Sequence, residues 1–104
     1  MILLSPPPPA RVQVVAKEFS FALSRPWIRA GAAILELSNF GEDPHDLRLK
    51  RVGGTKVYGL AARRPGTRGE LEVRLRPGTY RLWCSIADHR ARGMRATLVV
   101  RRPA

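Results

Sequence analysis

The sequence predicts an all-β domain, a Greek-key β-sandwich of about seven to eight strands. Apolar residues recur at period two in short runs. Proline- and glycine-rich turn signals separate those runs. No stretch sustains a 3.6-residue apolar period over ten residues. With 104 residues there is room for one domain, which buries roughly 65% of the surface its unfolded chain exposes. Residues 1–10, Met-Ile-Leu-Leu-Ser followed by four prolines, read as a poorly ordered Pro-rich leader. They carry neither the basic segment nor the length of a secretory signal. The folded domain is expected over 11–102.

Taken in order, Val12, Val14 and Ala16 share one phase and Phe19, Phe21 and Leu23 the shifted one. A bulge or bend across Lys17-Glu18 is the expected cause. Arg25-Pro26 breaks this run. Ala30 to Phe40 holds the next strand, ending at Gly41, and Leu47, Leu49 and Val52 mark another, ending at Gly53-Gly54. Val57 to Leu60 fits a short strand or one helical turn. Arg-Pro-Gly-Thr occurs at 64–67 and again at 76–79, and Pro-Gly at the two central positions predicts a type II turn each time. Between them Leu71, Val73 and Leu75 alternate with Glu72 and Arg74, a strand with one wet face. Tyr80, Leu82 and Cys84 form the inward phase of the next strand, and Arg95 to Arg101 the last.

Nineteen Lys and Arg oppose eight Asp and Glu, a formal charge of +11, and only Lys17, Lys50 and Lys56 are lysines. Such a balance fits an acidic partner or the Arg-rich composition that a GC-rich genome produces. The spread of arginines along the whole chain favours composition. No apolar run approaches the ~18 residues that span a bilayer as a helix. A single cysteine excludes an intrachain disulfide and any site built from several thiolates.

The side chains that bind soft transition metals are few: besides Met1 they are His45, Cys84, His89 and Met94. Three of them form Cys84-x4-His89-x4-Met94 around a strand end and the loop after it. The fourth follows the turn Asn39-Phe-Gly-Glu-Asp-Pro44. Each alone reads as ordinary packing. Together they place two imidazoles, a thiolate and a weak thioether within reach of one point, the blue-copper set. Zinc competes for one Cys and two His, but thioether is a poor zinc ligand.

Gly31–Leu49 (GAAILELSNFGEDPHDLRL) with Leu75–Val100 (LRPGTYRLWCSIADHRARGMRATLVV) resembles a plastocyanin/azurin-type cupredoxin. The shared features are the Asn-x-Gly turn before the first His, the Pro-Gly-Thr-Tyr leading into the Cys strand, and Cys…His…Gly-Met before a Val-rich last strand. The resemblance spans nearly all of 11–102. It implies one copper per chain, with His45, Cys84 and His89 equatorial and Met94 axial. It also implies that Asp46, where the family commonly has Asn, ties the two ligand segments behind the metal, with Asn39 in the preceding turn. Ala87-Asp88 stands where Pro-Gly is frequent, and Arg90 and Arg92 charge a loop that is apolar in the family.

The function this implies is single-electron transfer by Cu(I)/Cu(II) cycling between redox partners, without an enzymatic reaction. A copper carrier or storage protein on the same fold is the alternative, and a basic nucleic-acid-binding β domain, with Trp27, Trp83 and Tyr58 stacking bases, is a second. An acidic redox partner, no nucleic acid, a monomer and a periplasmic or extracellular location are expected. Trp83, on the face opposite Cys84, is expected either as a second electron port or as sheet cover, with Arg81 as its cation–π neighbour.

Overall fold

The computed structural model describes residues 5–103; Met1–Leu4 of the expected leader lie outside the described residues. Ser5–Pro9 are exposed and outside any strand, and pairing begins at Ala10. Among the described residues nine strands form two sheets. The strands are β1 (Ala10–Lys17), β2 (Ser20–Leu23), β3 (Trp27–Arg29), β4 (Gly31–Asn39), β5 (His45–Arg51), β6 (Val57–Arg63), β7 (Arg68–Leu75), β8 (Gly78–Trp83) and β9 (Arg95–Arg101). One sheet runs β2-β1-β4-β7, the other β3-β9-β8-β5-β6. β1 lies parallel to β4 and β3 parallel to β9; all other pairs are antiparallel. The β-sandwich is therefore as expected, with mixed sheets and one strand more.

The extra strand is β3. Three residues with a single buried side chain, Ile28, show no measurable period. The phase shift at Lys17-Glu18 is not a bulge in one bent strand. Glu18 and Phe19 form a turn, and β2 folds back on β1 with Lys17 opposite Ser20 and Val14 opposite Leu23. A reversal and a bulge shift the apolar phase alike, and only the pairing partner separates them. Val57–Arg63 is a strand, β6, held at the sheet edge against β5. Val52 is half-exposed beyond the end of β5.

The two Arg-Pro-Gly-Thr segments part company. At 64–67, Gly66 has φ 79° and the Thr67 amide donates to the Arg64 carbonyl at 3.1 Å, a type II turn. At 76–79 the chain crosses between sheets, because β7 and β8 belong to different ones. Here Gly78 has φ 152° and begins β8. Pro77 gives its carbonyl to the Arg51 side chain at 2.9 Å, and Arg76 gives its carbonyl to the Tyr80 hydroxyl at 2.8 Å.

The core lies between the sheets. Val12, Val14, Leu35 and Leu37 of one inner face meet Leu47, Leu49, Leu82 and Leu98 of the other, all buried. Each such leucine stabilises the fold by about 1.5–3 kcal/mol. The inward phase of β8, Tyr80-Leu82, carries straight on to Cys84, and the inward phase of β5 begins at His45. Core alternation thus delivers both side chains to the same end of the sandwich. No helix among the described residues is long and apolar enough to cross a membrane.

Candidate metal centre

Three buried side chains gather at that end, His45, Cys84 and His89, and the buried Met94 follows them in the chain. One donor atom from each of His45, Cys84 and His89 lies within 4.8 Å of the others. Cys84 Sγ is 3.6 Å from His89 Nδ1, and the two imidazole rings meet edge to face with centroids 5.0 Å apart.

The segment from Cys84 to Met94 places its own members. The His89 amide donates to the Ile86 carbonyl at 3.0 Å, turning the chain into a short helix, α1 (His89–Arg92). Ala87 takes a left-handed conformation, φ 46°, to make that turn, an unusual state for a residue with a Cβ. Gly93, φ 133°, ends the helix, and its Cβ position would lie 2.7 Å from the Phe19 carbonyl oxygen. The Met94 amide then donates to His89 at 3.0 Å and the Met94 carbonyl accepts from Cys84 at 3.1 Å. Met94, fully buried, is thereby returned to the start of the segment.

His45 is placed by a loop anchored from both near and far in the sequence. Asn39 fastens the preceding loop: its Nδ2 donates to the Asp43 carbonyl at 2.8 Å and the Arg63 carbonyl at 2.9 Å, and its Oδ1 accepts from Gly41 at 2.8 Å. Glu18, from the β1–β2 turn, accepts from the Glu42 amide at 2.6 Å and from the Asp43 amide. The bare Cα of Gly41 leaves room for this carboxylate. The same Glu18 oxygen stands 3.4 Å from His45 Nε2 without hydrogen-bond geometry, so neither ring nitrogen of this buried imidazole has a hydrogen-bond partner. Asp43 Oδ2 is 3.7 Å from His89 Nε2.

Asp46 spans the two halves. Its carboxylate accepts from the Ser85 amide at 2.7 Å and from the Ser85 hydroxyl, and it lies 3.4 Å from Arg48. Trp83 points out of the sheet, half-buried, with Arg90 stacked on its ring at 4.5 Å. The cation is not Arg81, whose guanidinium donates to Thr97 Oγ1 at 2.9 Å instead. Glu18, Asp43, Arg48 and Ser85 escaped sequence reading. Glu18 comes from a remote turn, while Asp43, Arg48 and Ser85 lie within three residues of His45 or Cys84 but are of types common on any surface.

The electrostatics favour a neutral His45 and a protonated Cys84 in the metal-free protein. Burial pushes His45 below its ordinary value, and His89 adds to this while Glu18 and Asp43 oppose it. Burial pushes the Cys84 thiol up, against the Asp46 and Ile86 backbone amides. For Glu18 burial favours the neutral acid, but the Asp43 and Glu42 amides outweigh it and hold the carboxyl low. A buried imidazole with both nitrogens unpaired is costly unless something binds it. Two imidazoles and a thiol that converge on one point can bind a soft or borderline metal ion.

No protein-family model matches the sequence, and no curated protein matches it by sequence. Solved structures match its shape. Auracyanin A, a "blue" copper protein from Chloroflexus aurantiacus, superposes with a TM-score of 0.73 at 15% identity, covering 90% of this chain and 100% of its own. A reduced auracyanin from Roseiflexus castenholzii gives 0.71 at 14%, covering 88% and 97%. A copper-containing nitrite reductase from Thermus scotoductus gives 0.60 at 22%, covering 96% of this chain and 24% of its own. The chain has the cupredoxin fold. That fold occurs both as a whole protein and as one part of a larger enzyme.

Proposed function

We propose that this chain is a type 1 blue copper protein that carries single electrons between redox partners, holding one copper through His45, Cys84, His89 and Met94. The observation that carries the reading is His45, buried with neither ring nitrogen hydrogen-bonded, facing Cys84 and His89 across less than 5 Å. Met94 supports copper over zinc: a fully buried thioether tied by backbone to Cys84 suits copper and is a poor zinc ligand. Copper would supply the one-electron couple.

The protein's own residues do the rest. His45 and His89 offer ring nitrogens, and Cys84 becomes a thiolate by losing its proton on binding. The Asp46 and Ile86 amides favour the anionic sulfur. Asp46 locks Ser85, next to the cysteine, against β5, and Arg48 offsets the charge it brings. Asn39 holds the loop that delivers His45. A scaffold fixed in this way changes little between oxidation states.

The chain acts as a carrier and not an enzyme, as a monomer, outside the reducing cytosol, where its one unpaired cysteine is safe once ligated. Arg90 and Arg92 flank His89 and steer an acidic redox partner to that end. Trp83, next to Cys84 in the chain, offers a second route. Trp83→Leu should slow exchange with the partner and leave self-exchange unchanged; if neither rate moves, Trp83 is sheet cover. The deciding experiment is addition of Cu(II) to the purified apo-protein. An intense visible absorption from thiolate-to-copper charge transfer is expected, and a colourless copper complex overturns the electron-transfer reading.

A further inference from the structure

The arginines that look scattered along the chain are sorted by the fold. Cross-strand partners share a face of a sheet, and the outward face of the five-stranded sheet reads as four rows. Arg48, Trp83 and Arg95 make one row and Lys50, Arg81 and Thr97 the next. Thr79, Val99 and Trp27 make the third, and Arg101 with Arg29 the fourth. Six cations thus occupy this face. The one carboxylate among its outward strand positions, Asp46, is buried and already bound to Ser85 and Arg48. The opposite sheet is balanced: Arg11, Lys17, Arg68 and Arg74 share its outer face with Glu36, Glu70 and Glu72. Two ion pairs cross it, Arg11–Glu70 at 3.3 Å and Arg68–Glu36 at 4.0 Å.

Apolar side chains stand among the six cations. Trp27 is 41% exposed, Val57 50% and Val99 36%; Val57 extends the second row, opposite Lys50. Arg101 stacks on Trp27 at 4.4 Å, and Arg90 on Trp83 at 4.5 Å. Guanidinium groups thus already cover the indoles that bases would need as stacking platforms, which disfavours nucleic acid. A face with cations in three of its four rows and no free carboxylate lacks the alternating charge that fixes the register of a protein partner. A sheet of like charge interleaved with exposed Trp and Val matches an anionic bilayer surface, which attracts basic residues and admits Trp at the headgroup level.

We propose that the outer face of the five-stranded sheet docks the protein on anionic lipid. The docking does not depend on the metal, so it is testable on apo-protein and loaded protein alike. The experiment is sedimentation with vesicles of phosphatidylcholine containing about one-third phosphatidylglycerol, against vesicles of phosphatidylcholine alone, at low salt and at about 0.15 M, where the Debye length is ~8 Å. Binding to the anionic vesicles only is expected, weakening with salt, with a blue shift of Trp emission. Arg29→Glu with Arg81→Glu should lower partitioning at least about 25-fold, at roughly fivefold per cation removed. Each reversal faces a cation across the strands, Arg101 and Lys50, so folding is not threatened. Lys17→Glu with Arg74→Glu makes the same charge change on the balanced face and should cost a few-fold at most. Equal losses from the two pairs, equal binding to neutral vesicles, or no binding to anionic vesicles at low salt overturns the proposal. So does tighter binding to a single-stranded oligonucleotide at equal charge concentration.

Discussion

The two halves of the candidate metal centre are built in opposite ways. The downstream half, Cys84 to Met94, is one continuous segment whose backbone closes on itself, from His89 to Ile86, Met94 to His89 and Cys84 to Met94. The upstream half is a single side chain, His45, held by a loop whose anchors come from Glu18, Asn39 and Arg63. A local turn fixes the relative positions of Cys84, His89 and Met94. Tertiary structure alone fixes their distance from His45. One half is therefore robust to changes elsewhere in the molecule and the other is not.

The largest effect expected is at the heart of the downstream half. Cys84→Ser should abolish the visible charge-transfer absorption of the copper-loaded protein, because only the thiolate supplies it. The segment's backbone bonds do not involve the sulfur, so the circular dichroism spectrum should remain that of the native fold. A surviving visible band would remove Cys84 from the site.

Asn39→Ala should do the reverse, sparing the sulfur chemistry and loosening the upstream half. It leaves two carbonyls and one amide without their partner. A loss of about 2–4 kcal/mol of folding stability is expected from those groups, read by denaturant unfolding, together with faster removal of copper by a chelator. If stability and copper retention both hold, the upstream half is as self-sufficient as the downstream one, and the contrast fails. Met94→Gln is milder. A harder oxygen in place of the thioether favours Cu(II), so the reduction potential should fall with copper retained. An unchanged potential would exclude Met94 as a ligand.

The same contrast explains what could be read in the sequence. Cys84-x4-His89-x4-Met94 is visible as spacing because its members are placed by local turns, and the strand leading into it shows its alternation. His45 is legible only because so few soft ligands exist. Glu18, 27 positions upstream, leaves no trace: its carboxylate reaches the site because β1 and β4 pair in parallel and the β1–β2 turn lands beside the loop after β4. The second Arg-Pro-Gly-Thr misleads for a related reason. Its residues permit a type II turn, but the sheet to which β8 belongs decides otherwise. Arginine placement is invisible for the same cause, since a face is defined by pairing between distant strands.

The smallest effect expected separates the halves by pH in the metal-free protein. His45 is the acid-sensitive element. Its value in the folded protein lies below the ordinary 6.5, mainly through burial, so the unfolded chain takes up a proton first as pH falls. Stability is then present above about 6.5 and declines below it. Glu18, held low against burial by loop amides, adds a second loss below its ordinary 4.5. Cys84 is the alkali-sensitive element. Burial raises its thiol above the ordinary 9.0, so the unfolded chain ionises first and stability falls as pH rises past that value. Tyr80, also raised by burial, adds its own loss above 10.0. Thermal midpoints of apo-protein from pH 2 to pH 11 should therefore decline on both sides of a neutral plateau. Glu18→Gln should remove the lower acid step and leave the alkaline limb alone. Cys84→Ser should flatten the alkaline limb between about 9 and 10, leaving Tyr80's share above it, and should not touch the acid limb. If either substitution alters both limbs, the two halves titrate as one unit, and their separate construction does not carry over to their energetics.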